Sequence, residues 1–261
     1  MLRSLYTAAT GMDAQQTRLD IIAHNLANSS TTGFKRARAD FEDLLSETIR
    51  SATAPTAQGG GRPEPLQVGL GVRTATTTRS FSQGDMNNTE NPLDLAIEGN
   101  GMFRVQRSNG DFAYTRSGNF RTDATGRMVT QQGEILDPGL TIPPESESLT
   151  IRTDGTVLVK MPGKAEPNEL GIIQLALFTN PGGLEAVGGN LFQATAASGE
   201  PVVVKAGEQG SGRISQGFLE GANVKAVTEM VDMITTQRAY EMNSKVIQSA
   251  DQMLQRLTQL R

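Results

Sequence analysis

The stretch AVTEMVDMITTQRAYEMNSKVIQSADQMLQRLTQL, residues 226–260, decides the fold class because it predicts one very long helix. It contains neither Pro nor Gly, and its apolar residues recur at steps of three and four with one step of five. That spacing is typical of one helix face and mostly of a coiled-coil seam. At 1.5 Å per residue, residues 222–260 would extend about 58 Å, far beyond the helix of a compact domain. The predicted seam comprises Val227, Val231, Ile234, Met242, Val246, Met253, Leu257 and Leu260.

The first thirty residues predict a second helix. Its large apolar residues lie seven apart, at Leu5, Met12, Leu19 and Leu26. A second set completes the alternation of three and four, at Leu2, Ala9, Gln16 and Ala23. Because this second set is small and partly polar, it favours close approach and a fixed register. We therefore predict that the two chain ends pair as a coiled coil, the alternative being two core helices of a globular domain.

The composition excludes several classes of protein. The 261-residue chain has 24 basic and 28 acidic residues, without the basic stripe that nucleic-acid binding requires. It has no Cys and one His, His24, which excludes disulfides, thiolate metal sites and His-rich zinc sites. Neither a membrane-spanning run nor a secretory signal is present. We expect no cofactor and a protein that stays in the cytoplasm or is exported without a cleaved signal.

The region after the first helix is less regular. The turn formers NSSTTG, residues 28–33, predict that the helix ends near Ala27 or Asn28. Apolar residues at mixed helical spacing predict a short second helix from Arg38 to about Arg50. The sequence SATAPTAQGGGRPEP, residues 51–65, has the composition of a flexible linker.

Between Leu66 and about Phe218 the pattern is that of β-strands. Residues 102–107 alternate, Asn109-Gly110 predicts a hairpin turn, and the alternation then resumes. The last predicted strand is Val202 to Lys205. Because no helix separates these strands, we expect an antiparallel arrangement. The predicted fold class is α+β, with long N- and C-terminal helices paired as a coiled coil and an irregular antiparallel β-rich middle.

The sequence contains one pair of candidate catalytic residues. Asp94 and Glu98 are four residues apart, and paired carboxylates can hydrolyse glycosides. Pro92 and the glycines that follow argue against a helix that would place both on one face, so solvated loop carboxylates are the simpler interpretation. We interpret His24 as structural or interfacial, and the Gly-rich runs lack nucleotide-binding spacing.

Four stretches resemble segments of bacterial flagellar axial proteins, the rod, hook and hook-associated family. NLANSSTTGFK (25–35) resembles the N-terminal signature, and FLEGANVKAVTEMVDMITTQRAYEMNSKVIQSADQML (218–254) resembles the C-terminal block. NPLDLAIEGNGMFRV (91–105) and YTRSGNFRTDATGRMVTQQGEIL (114–136) are similar to the middle segments. The family turn motif falls on Asn25, Asn28, Gly33, Phe34 and Lys35.

The resemblance implies a helical homopolymer, with terminal helices in the inner wall of a hollow tube and β domains facing outward. It implies contacts with proximal rod proteins, hook protein and the surrounding P and L rings. It also implies export through the flagellar type III export apparatus to the periplasm-spanning rod of the basal body. We therefore expect a terminal helical domain (1–35 with 222–261), a connecting region (36–80) and a β-rich outer domain (81–221).

Within the family, the chain length and PLQVGLGVR (65–73) most resemble the distal rod subunits, whereas hook proteins are usually longer. Distal rod subunits carry an extra stretch thought to wedge between neighbours and keep the rod straight and stiff. The resemblance places this stretch at about 48–66, where composition alone predicts a linker. Its shape-determining residues would be Pro55, Gly59, Gly60, Gly61, Pro63 and Pro65.

These observations predict a structural subunit of the distal rod, a drive shaft that transmits torque to the hook, and no enzyme. The alternatives are another axial subunit (proximal rod or hook protein), a cell-wall hydrolase and a coiled-coil adhesin. We expect the seams to be buried partly within the chain and partly between copies. Outer faces such as Ile22, Met230 and Leu254 are expected to be covered by neighbouring subunits.

Overall fold

The computed structural model describes residues 2–51, 64–163 and 166–259, and the chain divides into two compact units. The helical unit comprises Met1–Ala27, Ala37–Thr78 and Lys225–Arg261. The strand unit comprises Asn28–Arg36 and Arg79–Val224. Both chain ends therefore belong to the same unit, and the long middle of the sequence forms the other.

The helical unit contains two long helices and two pairs of strands. Its elements are α1 (Leu2–Ala27), β1 (Ala37–Asp43), β2 (Ser46–Arg50), β3 (Leu66–Gly69), β4 (Val72–Arg79) and α2 (Ala226–Gln259). Strand β1 pairs with β4, and β2 pairs antiparallel with β3. No helix in the described part of the chain is long and apolar enough to cross a membrane.

Helices α1 and α2 pack against each other, which confirms the predicted pairing of the chain ends. Asn25, near the end of α1, donates a hydrogen bond to Glu229 in the first turn of α2. Earlier in α1, Gly11 lies against Asn243, far along α2. The residue near the end of α1 meets the start of α2, and the earlier residue of α1 meets a later residue of α2, so the pair is antiparallel.

Most of the buried residues on the two helices are small or polar. On α1 and α2 the buried residues are Ala8, Ala14, Ile22, Asn25, Glu229, Thr236 and Ala250. The expectation that Ile22 lies on an outer face is wrong, because its side chain is only 5% exposed. Met230 is 50% exposed, and Leu254 is half-buried. Small and polar residues allow close approach of the helices, and a pattern of large apolar residues does not reveal them.

The predicted short helix from Arg38 to about Arg50 is wrong, because this segment forms β1 and β2. Its spacing of large apolar residues fits a helix, yet its partners are the strands β4 and β3, which lie some twenty or more residues further along the sequence. Thr78 Oγ1 donates to Asp40 Oδ2 at 2.9 Å across the β1–β4 pair. Such pairing outweighs local propensity, which is a weak determinant of strands.

The predicted stretch at about 48–66 begins inside β2 and ends at β3. Thr48 pairs with Gln67, and Arg50 pairs with Leu66, so the two ends of the stretch lie side by side. Pro65 directly precedes β3. The remaining predicted stiffening residues lie outside the described residues; they are Pro55, Gly59, Gly60, Gly61 and Pro63.

The described residues of the strand unit form sixteen short strands and one turn of 3-10 helix at Pro181–Gly183. The strands are β5 (Met86–Asn88), β6 (Leu95–Glu98), β7 (Met102–Gln106), β8 (Phe112–Thr115), β9 (Arg121–Thr122), β10 (Met128–Val129), β11 (Ile135–Leu136), β12 (Ser148–Ile151), β13 (Thr156–Lys160), β14 (Asn168–Ile172), β15 (Gln174–Leu177), β16 (Glu185–Gly188), β17 (Leu191–Gln193), β18 (Val202–Lys205), β19 (Arg213–Gln216) and β20 (Phe218–Glu220). Two strands follow β18, so the prediction that Val202–Lys205 is the last strand is wrong.

The largest sheet of the strand unit has nine strands. Its main path runs β16-β17-β8-β7-β11-β10-β9, and β15 joins it by pairing with β7 and β18. Strands β12, β13 and β14 form a second sheet, and β6 pairs with β19 while β5 pairs with β20. All of these pairings are antiparallel, as predicted.

The core of the strand unit follows the sequence alternation. In the β7–β8 hairpin, Phe103 and Val105 point into the core, and Gly110 has the positive φ of 89° that the predicted turn requires. Phe103 packs edge-on against Phe120, with ring centroids 5.2 Å apart. The fold class is therefore α+β with a β-rich antiparallel middle, as the sequence predicts.

Candidate self-assembly interface

The predicted seam of α2 lies on the exposed side of the helix. Its described apolar residues have exposed fractions between 47% at Val246 and 76% at Val227. The others are Val231, Ile234, Met242 and Met253. Leu260 and the side chain of Leu257 lie outside the described part of the chain. We call these six described residues the α2 stripe.

The predicted seam of α1 is intermediate in its exposure to solvent. Leu5, Met12, Leu19 and Leu26 are all half-buried. Each therefore combines contacts within the chain with surface that remains accessible. The two seams differ in exposure. The large apolar residues of the α1 seam are partly buried, whereas the α2 stripe is exposed to solvent.

An exposed apolar stripe of this kind is unusual on a protein that works as a monomer. Complete burial of one Val, Ile or Met side chain contributes about 1.5–3 kcal/mol. Contiguous exposed apolar surface commonly marks a site of association with another molecule. Helix α2 therefore has one side that packs within the chain, where Glu229, Thr236 and Ala250 are buried, and an opposite side, the α2 stripe, that remains exposed.

A second exposed apolar group belongs to the β2–β3 hairpin and the residue before it. Every residue of both strands is exposed. The apolar ones include Leu45 at 88% and Ile49 at 49%, with Leu66 at 52% and Val68 at 38%. A two-stranded hairpin is marginally stable alone, so this hairpin gains most from a surface that covers it.

Asn25, the first residue of the predicted turn motif, joins three segments of the helical unit. Its side chain is 1% exposed, and Nδ2 donates to the Ala37 carbonyl at 2.8 Å and to Glu229 Oε2 at 3.2 Å. Asn25 Oδ1 accepts from the Ala37 amide at 3.0 Å. The amide side chain thus ties the end of α1 to the start of β1 and to the first turn of α2.

The turn itself is built by the next motif residues. The Thr31 amide donates to the Asn28 carbonyl at 3.0 Å, and Gly33 adopts a φ of 69°. A Cβ added to Gly33 would lie 2.5 Å from the Ser117 amide nitrogen. Gly33 therefore satisfies both a left-handed backbone and a close approach, and Phe34 after it is buried.

Lys35 lies in a buried ionic cluster within the strand unit. Its Nζ lies 2.6 Å from Glu220 Oε1 and donates to the Ser82 carbonyl at 2.7 Å. Arg116 Nη1 donates to Glu220 Oε2 at 3.2 Å and to the Ile97 carbonyl at 3.1 Å. We call Lys35, Arg116 and Glu220 the ionic cluster.

Burial governs the electrostatics of this cluster. It lowers the pKa of Lys35 from its ordinary value, while the hydrogen bond to Glu220 opposes that shift. Burial likewise lowers the pKa of Arg116. The turn motif indicated Lys35 but not its partners, although Arg116 and Glu220 both lie in stretches that resemble the axial proteins.

The candidate catalytic carboxylates have separate environments. Asp94 is 8% exposed and accepts hydrogen bonds from Thr89 Oγ1 at 2.7 Å and from Asn91 Nδ2 at 3.1 Å, whereas Glu98 is exposed. Asp94 therefore organises its own loop. His24 lies exposed on α1. Within the described ranges, no group of three or more His, Asp or Glu side chains is arranged to hold a metal ion.

Comparison with known families matches three separate parts of the chain. Residues 5–35 match the model described as flagella basal body rod protein. Residues 96–159 match the flagellar hook protein FlgE/F/G D1 domain, and residues 215–260 match the flagellar basal body rod FlgEFG protein C-terminal model. The class of protein is thus the flagellar rod and hook proteins.

Full-length relatives narrow the class. The chain is 48% identical over 261 residues to the flagellar basal-body rod protein FlgG of Caulobacter vibrioides, with all of both chains covered. It is 39% identical to the protein of the same name from Bacillus subtilis, again over the whole of both chains. By contrast, the flagellar hook protein FlgE of Helicobacter mustelae is 45% identical over 137 residues, which is 52% of this chain and 30% of the hook protein. The chain belongs to the flagellar basal-body rod protein FlgG family.

Proposed function

We propose that this chain polymerises into the distal rod of the flagellar basal body and transmits torque from the motor to the hook. The observation that carries the proposal is the α2 stripe, which leaves six large apolar side chains open in the folded chain. Neighbouring copies supply the surface that covers it. Family membership supports the rod as the structure in which this contact occurs.

Substitutions on the α2 stripe test the proposal. Val231→Asn and Val246→Asn replace two stripe residues by polar ones, and Gln237→Asn and Gln248→Asn introduce the same side chain at exposed polar positions outside the stripe on the same helix. The stripe variants should be exported yet fail to form rods, since a buried amide without a partner opposes association.

The measurement is electron microscopy of isolated basal bodies, labelled with an antibody to this chain, together with motility. Labelled rods of full length in the doubly substituted stripe strain would contradict the proposal. Rod loss in the control strain as well would show that any change on α2 is disruptive, and would also count against the stripe as the specific contact.

The alternative position in the axial structure is the proximal rod or the hook. The hook interpretation is disfavoured because the hook relative matches only half of this chain, whereas rod relatives match all of it. Antibody label confined to the distal part of the rod, between the proximal rod and the hook, is the expected result. Label along the hook would favour the alternative.

The partners that follow from this position are proximal rod proteins at one end, hook protein at the other and the P and L rings around the shaft. Export through the type III apparatus without a cleaved signal peptide is part of the same proposal. Mass spectrometry of the chain recovered from basal bodies should therefore detect the intact N-terminal sequence.

We further propose that the chain has no enzymatic role, so a muramidase assay on the purified protein should give no activity above buffer.

The stretch at about 48–66 is proposed to stiffen the rod by lying against a neighbouring copy. In support, β2 and β3 bring its ends together and are exposed along their whole length. Deletion of Thr56–Glu64 leaves both strands intact, so rods should still assemble but should be curved or flexible. Straight rods of normal length would reduce this stretch to a linker.

A further inference from the structure

Gly11 on α1 faces the side chain of Asn243 on α2. A Cβ at Gly11 would lie 2.9 Å from Asn243 Nδ2 and 3.5 Å from its Cγ. Gly11 lies inside α1, where glycine is a poor helix former. The glycine is therefore explained by the room it leaves for the Asn243 side chain.

A hydrogen bond between the same helices has the same register. Asn25 Nδ2 donates to Glu229 Oε2 at 3.2 Å, and both side chains are 1% exposed. From Gly11 to Asn25 is fourteen residues, and from Glu229 to Asn243 is also fourteen. Two contacts separated by two heptads on each helix define one antiparallel register without a slip.

The remaining buried residues of the pair would tolerate a shifted register. They include Ala8, Ile22 and Ala250, whose apolar surfaces can pack against many neighbours. The polar residues of the pair cannot tolerate a shifted register. A slip of one heptad would place Asn243 against Ser4 or Arg18, where a side chain occupies the space that Gly11 leaves open.

We propose that the Gly11–Asn243 contact, reinforced by Asn25 and Glu229, sets the register of the α1–α2 pair. A single polar residue in a helical seam fixes register in this way, at a cost in stability. The register in turn decides where each residue of the α2 stripe stands beside the α1 seam. That consequence for assembly rests on the proposed function, whereas the register itself does not.

Because the chain has no Cys, engineered cysteine pairs report the register without background. Gln15→Cys with Ala239→Cys lies four residues from the Gly11–Asn243 contact on both helices and reports the native register. Gln15→Cys with Asp232→Cys, or with Val246→Cys, reports a slip of one heptad in either direction. Intramolecular disulfide formation is measured in the full-length chain at low concentration by non-reducing electrophoresis and peptide mapping.

With Gly11 and Asn243 intact, the native reporter should cross-link about tenfold faster or more than either slip reporter, the ratio expected from an overpacking cost in the shifted pair. Gly11→Leu should slow the native reporter, although leucine is a better helix former than glycine, because its branched side chain cannot share the space of the Asn243 amide. Adding Asn243→Ala to Gly11→Leu frees that space and should restore part of the native rate. Asn243→Ala alone should raise the slip reporters.

Equal cross-linking at native and slip reporters in the otherwise unaltered chain would overturn the proposal, as would a native reporter unaffected by Gly11→Leu. Ser244→Ala, next to Asn243 in α2, is the control and should change neither reporter. These rates are independent of polymerisation. If the stripe variants assembled normally, the proposed function would fail while the register result stood.

Discussion

Lys35 Nζ and Glu220 Oε1 lie 2.6 Å apart, and neither side chain exposes any surface. Lys35 follows the turn after α1 in sequence, and Glu220 precedes α2, so the pair joins the two separate segments of the strand unit, Asn28–Arg36 and Arg79–Val224. The Arg36 amide donates to Asn223 Oδ1 at 2.7 Å and joins the same two segments.

Lys35→Met should destabilise the strand unit strongly. Loss of one member of a buried ionic cluster leaves Glu220 with an incomplete set of partners, and such changes cost about 3 kcal/mol or more. Lys160→Met is the control, because Lys160 and Glu147 form an exposed pair at 3.3 Å whose loss should cost less than about 1 kcal/mol. Urea unfolding monitored by circular dichroism measures both, and equal midpoints would contradict the assignment.

Gly33→Ala should be more damaging than Gly110→Ala. Both glycines have positive φ, which costs a residue with a side chain about 1–2 kcal/mol. A Cβ at Gly33 also meets the backbone of Ser117 at 2.5 Å, whereas nothing lies within 4 Å of one at Gly110. Thermal unfolding of the two variants should therefore show a larger loss of stability for Gly33→Ala, the difference being due to the steric clash. Similar losses of stability in both variants would show that the clash relaxes freely.

Asp123→Asn should flatten the acid side of the stability profile. The hydroxyl of Thr125 and then the amide of Arg127 lower the pKa of Asp123 far below its ordinary value in the folded chain. Its contribution is therefore present above the ordinary pKa of about 3.9 and is lost as the pH falls toward the lower folded value.

The measurement is the free energy of unfolding between pH 2 and pH 7. Asp123→Asn should be less stable at neutral pH and should lose less stability on acidification than the unaltered chain. Thr125→Ala, which removes the donor with the largest effect, should give an intermediate slope. Parallel profiles for all three proteins would refute a depressed pKa at Asp123.

Ile22→Ala should weaken the α1–α2 pair more than Leu19→Ala. Ile22 is 5% exposed, and truncation of a buried Ile costs about 2–5 kcal/mol. Leu19 is half-buried in the single chain, so its truncation should cost less there. Amide hydrogen exchange along α1 in the full-length chain reports the difference, and greater loss of protection in the Leu19 variant would reverse the assignment of faces.

Local patterns predicted the two long helices and several of the strands. The run without Pro or Gly after Ala226 indicated α2, and the alternation around Asn109-Gly110 indicated the β7–β8 hairpin. Both depend on neighbours in sequence, which is why periodicity finds them. The segment from Arg38 to Arg50 was missed because its strands depend on partners far along the chain.

The site was only partly predictable for the same reason. Asn25 and Lys35 belong to a short motif, but their partners Glu229 and Glu220 come nearly two hundred residues later. A carboxylate carries no local mark of the cation that will be buried against it. Which apolar residues of a helix face its partner is equally hidden when small and polar residues, such as Gly11 and Asn243, make the contact.

Residues close together in sequence were enough to predict two long helices at the chain ends and an antiparallel β-rich middle, because periodicity, turn formers and the absence of breakers act within a few residues. The folded chain alone reveals that α2 turns Glu229, Thr236 and Ala250 inward and leaves the α2 stripe exposed to solvent. That orientation depends on the packing of α2 against α1, where the buried residues are mostly small or polar and carry no local signal.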